Sequence, residues 1–237
     1  MSPEELAFKL GVKQLFAEKF TPELSMYICF VPGAKAIASW HELRRIAPGL
    51  GYWPLVLGDN RTYEQTKKSF ESSAKFAGRR PSSSAATSAQ EFFEARTEDL
   101  GDEFPTGSWP VKPVPPHAFY LPSEFDKRTV MGLLPVTHSS QVLQIVNYGD
   151  WNACPPVHEH VAVHDYWNER YGAEIVCLSS DILEMHVDRR PADREEALAL
   201  AREQYLYCSD LVEQRTGTIQ ELAAGLMVSD AWFFWWD

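Results

Sequence analysis

The densest run of chemically capable side chains is "WNACPPVHEHVAVH", residues 151–164, which gathers Cys154, His158, His160 and His164 in one short stretch. A thiol attacks as its thiolate, and a neighbouring imidazole can take the proton. Pro155 and Pro156 suit a helix entry, and a cysteine beside a helix N-terminus has its pKa lowered there. Cys154 with His158 or His160 is therefore the candidate nucleophile–base pair, with Asn152 or Asp165 near in sequence as an orienting group. The opposite reading is packing, since free cysteines are among the most buried residues and are commonly inert. The residues alone leave both readings open.

The same histidines raise the question of a metal. His160 and His164 are four apart and share a helix face, whereas His158 points elsewhere on the same helix. Two ligands on one face do not complete a site, and neither H-E-x-x-H nor paired-cysteine spacing is present. No metal or cofactor is expected. On a helical wheel His160, Val163, Trp167 and Tyr171 form one apolar stripe with His164 at its edge, the pattern of a core histidine whose ring nitrogens are hydrogen-bonded.

A second constellation follows in "CSDLVEQRTGT", where Asp210, Glu213, Gln214 and Arg215 stand between two helices, placed to line a groove near the tail. Asp210, Gln214 and Arg215, with Trp151, Asn152 and Trp236, are the candidate binding residues, although loop polar groups also serve their own backbone. Asp181 and Glu184 in "SSDILEMHV" could sit at a strand turn with their carboxylates exposed, although Ser-Ser-Asp is also ordinary turn chemistry. The phosphate-cradling G-x-x-x-x-G-K-[ST] and G-x-G-x-x-G patterns are absent, as is the G-x-S-x-G elbow.

The elements that must hold these residues are legible in outline. "SPEEL" carries an N-cap Ser2, Pro3 in the first turn and Glu5 to close a capping box. "SMYICFVP", "AKAIASWHELRRI" and "YWPLVLGDN" read as strand, helix, strand. "SQVLQIVNYG" reads as a strand, "HEHVAVHDYWNERYG" as a helix closed by Gly172, and "AEIVCLSSDILEMHV" as two strands or one bent strand. "PADREEALALAREQYLYCSD" is a helix capped by Asp193, and "TIQELAAGLMV" another capped by Thr218. The run Trp232, Phe233, Phe234, Trp235, Trp236 fits a central strand covered on both faces.

The fold expected is α/β: a mixed central sheet flanked by helices, with a buried aromatic C-terminal strand. Its parts are an N-terminal strand–helix–strand unit over residues 1–60, an acidic Pro/Ser-rich insertion or linker over 61–125, and an α/β domain over 126–237.

The words "NYGDWNACPP", "EHVAVHDYWNERYGAEIV", "REEALALAREQYLYCSDLV", "GTIQELAAGL" and "WFFWWD", in that order, closely resemble the bacterial domain-of-unknown-function family numbered 4253. The N-terminal "VPGAKAIASWHELR" and "GYWPLVLG" are similar to the segment that often precedes that domain. The resemblance implies an α/β domain and a bacterial or phage origin, and it carries no activity.

Function must come from residues. A net charge of −11 and a pI near 5.1 oppose binding to nucleic acid or to anionic membrane surfaces. No apolar run is long enough to span a bilayer, and no signal peptide opens the chain, so a cytoplasmic protein with reduced cysteines is expected. Charge, an acidic insertion and eight Trp favour a non-enzymatic interaction module, of immunity or regulatory type, for a protein with a basic or neutral surface. The alternative is a small-molecule or peptide-modifying enzyme using Cys154 with a nearby His.

Overall fold

The computed structural model describes residues 1–77, 88–101, 103–114 and 127–237. Along the chain lie α1 (Pro3–Leu10), β1 (Phe16–Lys19), β2 (Ser25–Val31), α2 (Ala36–Ile46), β3 (Trp53–Val56), α3 (Asn60–Ala77), α4 (Ala89–Leu100) and β4 (Thr129–Leu134). Then come α5 (Ser139–Val146), α6 (Val157–Tyr171), β5 (Glu174–Leu178), β6 (Ile182–His186), α7 (Arg194–Tyr207), α8 (Ile219–Leu226) and β7 (Ala231–Trp235). The fold is α/β with mixed strand pairing. Its described residues form two compact units, the first drawn from 1–83, 120–148 and 175–180, the second from 84–119, 149–174 and 181–237.

In the first unit the strands lie in the order β1, β2, β4, β3, β5. β2 and β3 each run antiparallel to β4, and β3 runs parallel to β5, with Val56 opposite Cys177. The strand–helix–strand pattern of residues 25–60 is present as β2, α2 and β3, but β4 sits between the two strands. All six residues of β4 are buried, as a strand paired on both edges requires. Trp40 and Trp53 tie helix and strands together, each donating its indole N–H to a buried carbonyl, of Pro54 and Ile175.

The stretch "SQVLQIVNYG", expected as a strand, is a helix. Val142, Leu143 and Val146 bury one face of α5 at helical spacing, and Gln141 Oε1 accepts from the N–H groups of Thr137 and His138 ahead of it. Asn147 at φ 52° closes its end, the left-handed cap that Asn tolerates. An apolar run with a helix-type cap at each end outweighs its strand-forming composition.

In the second unit, capping behaves as the residues dictate. Asp193 Oδ1 accepts from Glu196 N–H at 2.9 Å to open α7, Thr218 Oγ1 accepts from Glu221 N–H to open α8, and Gly172 at φ 62° ends α6. An extended segment after α4 clips onto α8: Pro105 C=O accepts from Ile219 N–H, and Gly107 N–H donates to Gln220 Oε1. The serines 82–84 and the prolines beyond residue 114 that also marked the insertion lie outside the described residues.

β7 pairs antiparallel with β6, from Ile182 opposite Trp235 to His186 opposite Ala231. It ends the strand order and is therefore an edge strand, not the central one its composition suggested. Helices supply the burial that a neighbouring strand was expected to give. Trp232, Phe234 and Trp236 face α6 and α7, while Arg215 covers Phe233 on the other side. No helix among the described residues is long and apolar enough to cross a membrane.

Candidate functional site

α6 presents His160, Val163, His164, Trp167 and Tyr171 as one buried stripe, and α7 meets it with Tyr207 and with Glu203, which accepts from Trp167 Nε1–H. Trp167 stacks on Phe234 with ring centroids 5.5 Å apart and planes 8° from parallel, while Trp232 stands edge-on to both Trp167 and Tyr171. Each such aromatic pair contributes about 0.5–1.5 kcal/mol beyond its buried area.

Inside this layer runs a chain of polar atoms. Cys154 Sγ lies 3.4 Å from His160 Nε2, His160 Nδ1 lies 2.5 Å from Tyr207 Oη, and Tyr207 Oη lies 2.8 Å from His164 Nε2. The His160 ring also bonds the Pro155 carbonyl. A carbonyl can only accept, so the ring nitrogen facing it carries the proton. With Nδ1 engaged by Tyr207, that nitrogen is Nε2. Tyr207 then donates its O–H to His160 Nδ1 and accepts from His164 Nε2–H, which leaves His164 Nδ1 as a buried lone pair without a partner among the described residues.

Electrostatics keep both rings neutral. Burial lowers His160 well below its ordinary pKa, with His164 adding to the shift, the Pro155 bond opposing it and His158 adding a little more. Burial alone takes His164 down to about 3. The Cys154 thiol moves the opposite way from the sequence expectation: burial pushes it well up, and Cys208 and Asp150 push further. The loop explains the reversal. Trp151 and Cys154 form an isolated β-bridge, and Gly149 at φ 99° brings the backbone so close to Pro155 O and the His160 ring that no Cβ fits there. Cys154 is left 4% exposed, and desolvating a thiolate outweighs the field of the helix end. With His160 in that tautomer, the Cys154 sulfur faces an N–H. His158 is half-buried and outside the chain of hydrogen bonds.

The candidate binding residues are brought together only in part. Asn152 Nδ2–H donates to the Asp237 main-chain oxygen at 2.5 Å, Asp237 N–H donates to Asp210 Oδ2, and Gln214 Nε2–H donates to Asp210 Oδ1 at 2.7 Å. Asp210 thus bonds both Gln214 and Asp237, and Asn152 joins the group through Asp237. Trp236 is 2% exposed, edge-on to His160 and Tyr207. Arg215 stands apart, its guanidinium 4.2 Å over the Phe233 ring.

A cleft of this unit, about 300 Å³, was marked by sequence only through Glu213. It is lined by Arg96, Asp99 and Leu100 of α4, Ala153 of the loop, Tyr205 and Tyr207 of α7, and Glu213 of a π-helical turn, with Leu206 and Ser209. Tyr205 Oη donates to Glu213 Oε1 at 2.9 Å, and burial followed by that carboxylate pushes the phenol up to about 12. Arg96 lies over the Phe92 ring at 5.2 Å and reaches Glu159 at 3.7 Å. Residues this far apart in sequence leave no local motif; beyond Glu213, the available signal was Arg96 and Asp99 sharing a face of α4 at three-residue spacing. Among the described residues no group of three or more His, Cys, Asp or Glu can hold a metal ion.

Residues 130–237 match the model of a family described as Domain of unknown function (DUF4253). The match takes in the whole Cys154–His160–Tyr207–His164 chain and leaves the α4 side of the cleft outside it. No curated protein and no solved structure matches the chain.

Proposed function

We propose, from a domain whose suggested nucleophile–base pair is sealed in its core, that the protein is a non-enzymatic interaction module, a bacterial cytoplasmic partner of regulatory or immunity type. It covers a basic or neutral protein surface and binds neither nucleic acid nor membrane. The observation that carries this reading is Cys154, 4% exposed, its sulfur 3.4 Å from the ring of a fully buried His160. The net charge of −11 and the exposed Glu91, Glu94, Glu98 and Asp99 of α4 supply the complementary field. Four free, buried cysteines fit a reducing compartment.

Two measurements test it together. Iodoacetamide applied to the native protein should label none of the four cysteines faster than unfolding exposes them. Affinity capture from the producing cell should retain a protein partner at about 0.05 M salt and release it at about 0.5 M. Selective alkylation of Cys154, or the lack of any salt-sensitive partner, contradicts the reading. The enzymatic alternative has the 3.4 Å Cys154–His160 approach in its favour. It requires the 149–155 loop to open and the His160 proton to move, and a turnover abolished by Cys154→Ser would establish it.

A further inference from the structure

We infer that the cleft of the second unit receives the cationic end of an arginine or lysine side chain from the partner protein. The inference rests on the interaction reading above and locates it. A volume of about 300 Å³ is at the lower limit for a small-molecule pocket and suits one long side chain. The chemistry of the walls selects its charge. Asp99 has no partner among the described residues. Glu213 uses Oε1 to accept from Tyr205 and keeps Oε2 for another donor. Arg96, the cation in the lining, already faces Glu159 and lies over Phe92, so the two carboxylates are not cancelled within the cleft.

Tyr205 and Tyr207, 6% and 1% exposed, give the lining only narrow apolar edges, which with Leu206 and Ala153 meet the alkyl stem of the entering side chain. Outside the cleft the field continues, since Glu91, Glu94 and Glu98 are exposed on the same helix as Asp99. That extension favours a protein segment over a free polyamine: neighbouring basic residues of a segment reach the α4 carboxylates while one side chain enters the cleft. It also makes the contact salt-sensitive.

The test uses the full chain and three ligands, an N-acetylated tetra-arginine amide, the matching tetra-lysine amide and spermine, each followed by isothermal titration at low salt. At least one peptide should bind more tightly than spermine. Its affinity should fall about fivefold in the double variant Asp99→Asn, Glu213→Gln, as two exposed carboxylate contacts warrant. It should be unchanged in Glu23→Gln, an exposed carboxylate of the first unit. Thermal unfolding matched to wild type confirms that the variants fold, and a double variant that fails to do so is replaced by the two single variants. Equal peptide affinity in wild type and double variant, spermine binding as tightly as both peptides, or no binding at all overturns the inference. Each of those results leaves the capture experiment free to support the broader reading.

Discussion

The two units bury different kinds of polar group. In the first, the buried polar residues are hydroxyls: Thr21, Thr66, Thr129, Ser139, Ser140 and Ser179. In the second they include His160, His164, Glu174 and Glu184, with Gln204 and Ser229. A hydroxyl has no charge to lose and needs one or two hydrogen bonds, as when Ser139 Oγ accepts from Ile175 N–H at 2.5 Å. A histidine can be charged by acid. Thiols and phenols aside, the buried polar groups described in the first unit have no charge to gain, whereas the second buries two imidazoles that acid can protonate.

The comparison breaks most completely by removing the aromatic layer on which the second unit depends. Deleting residues 232–237 takes away Trp232, Phe234 and Trp236, each of which packs on α6 or α7. Truncating one large buried aromatic costs about 3–5 kcal/mol, so the loss is comparable to the whole stability of a typical domain. The truncated protein should lose its near-ultraviolet circular dichroism and its cooperative melt. A soluble, cooperatively folding truncation would contradict this and assign the tail to a docking surface instead.

Acid should be the next largest effect. The folded state refuses protons on His160 and His164 that the unfolded state accepts near pH 6.5. Stability is therefore full above that pH and falls as pH drops from 6.5 toward 3, by about 1.4 kcal/mol per unit for His164, with His160 steepening the fall in the same direction. Urea midpoints across this range check the slope; a flat profile would mean that the rings are already charged or open to water.

Two hydroxyl deletions sharpen the contrast. Tyr207→Phe strands His160 Nδ1 and His164 Nε2–H together, a cost of about 2–4 kcal/mol, and it should alter the acid profile because the pair loses its bridge. Ser139→Ala strands one N–H, costs about 1–3 kcal/mol, and should shift the urea midpoint equally at pH 7 and pH 5. If Ser139→Ala changes the pH slope as much as Tyr207→Phe does, the division between the units fails.

What the sequence disclosed was mostly local. The α6 stripe, its stop at Gly172 and the Asp193 cap are written within a few residues of one another, and each is present. β1 and β4 carried too little contrast with their flanks to be seen, and without β4 the neighbours of β2 and β3 could not be assigned. The five aromatics of the tail announced burial, but strand composition does not distinguish a neighbouring strand from a helix as the cover. Cys154 and His160 do meet, yet spacing could not show that Gly149 and Pro155 would seal them. Tyr207, which bonds both histidines, lay 43 residues beyond His164. Its only signal was its place on the buried stripe of α7 with Leu200 and Gln204.

The central claim is that the Cys154–His160–Tyr207–His164 chain is a neutral structural core and not a poised nucleophile. Long-range proton–nitrogen correlation spectra of the imidazoles in nitrogen-labelled protein at pH 7 address it directly. The account predicts His160 as the neutral tautomer with its proton on Nε2 and an acceptor shift at Nδ1, and His164 as the neutral Nε2–H tautomer. A His160 ring protonated on both nitrogens beside a Cys154 thiolate, or a bare Nε2 facing the sulfur, would contradict it.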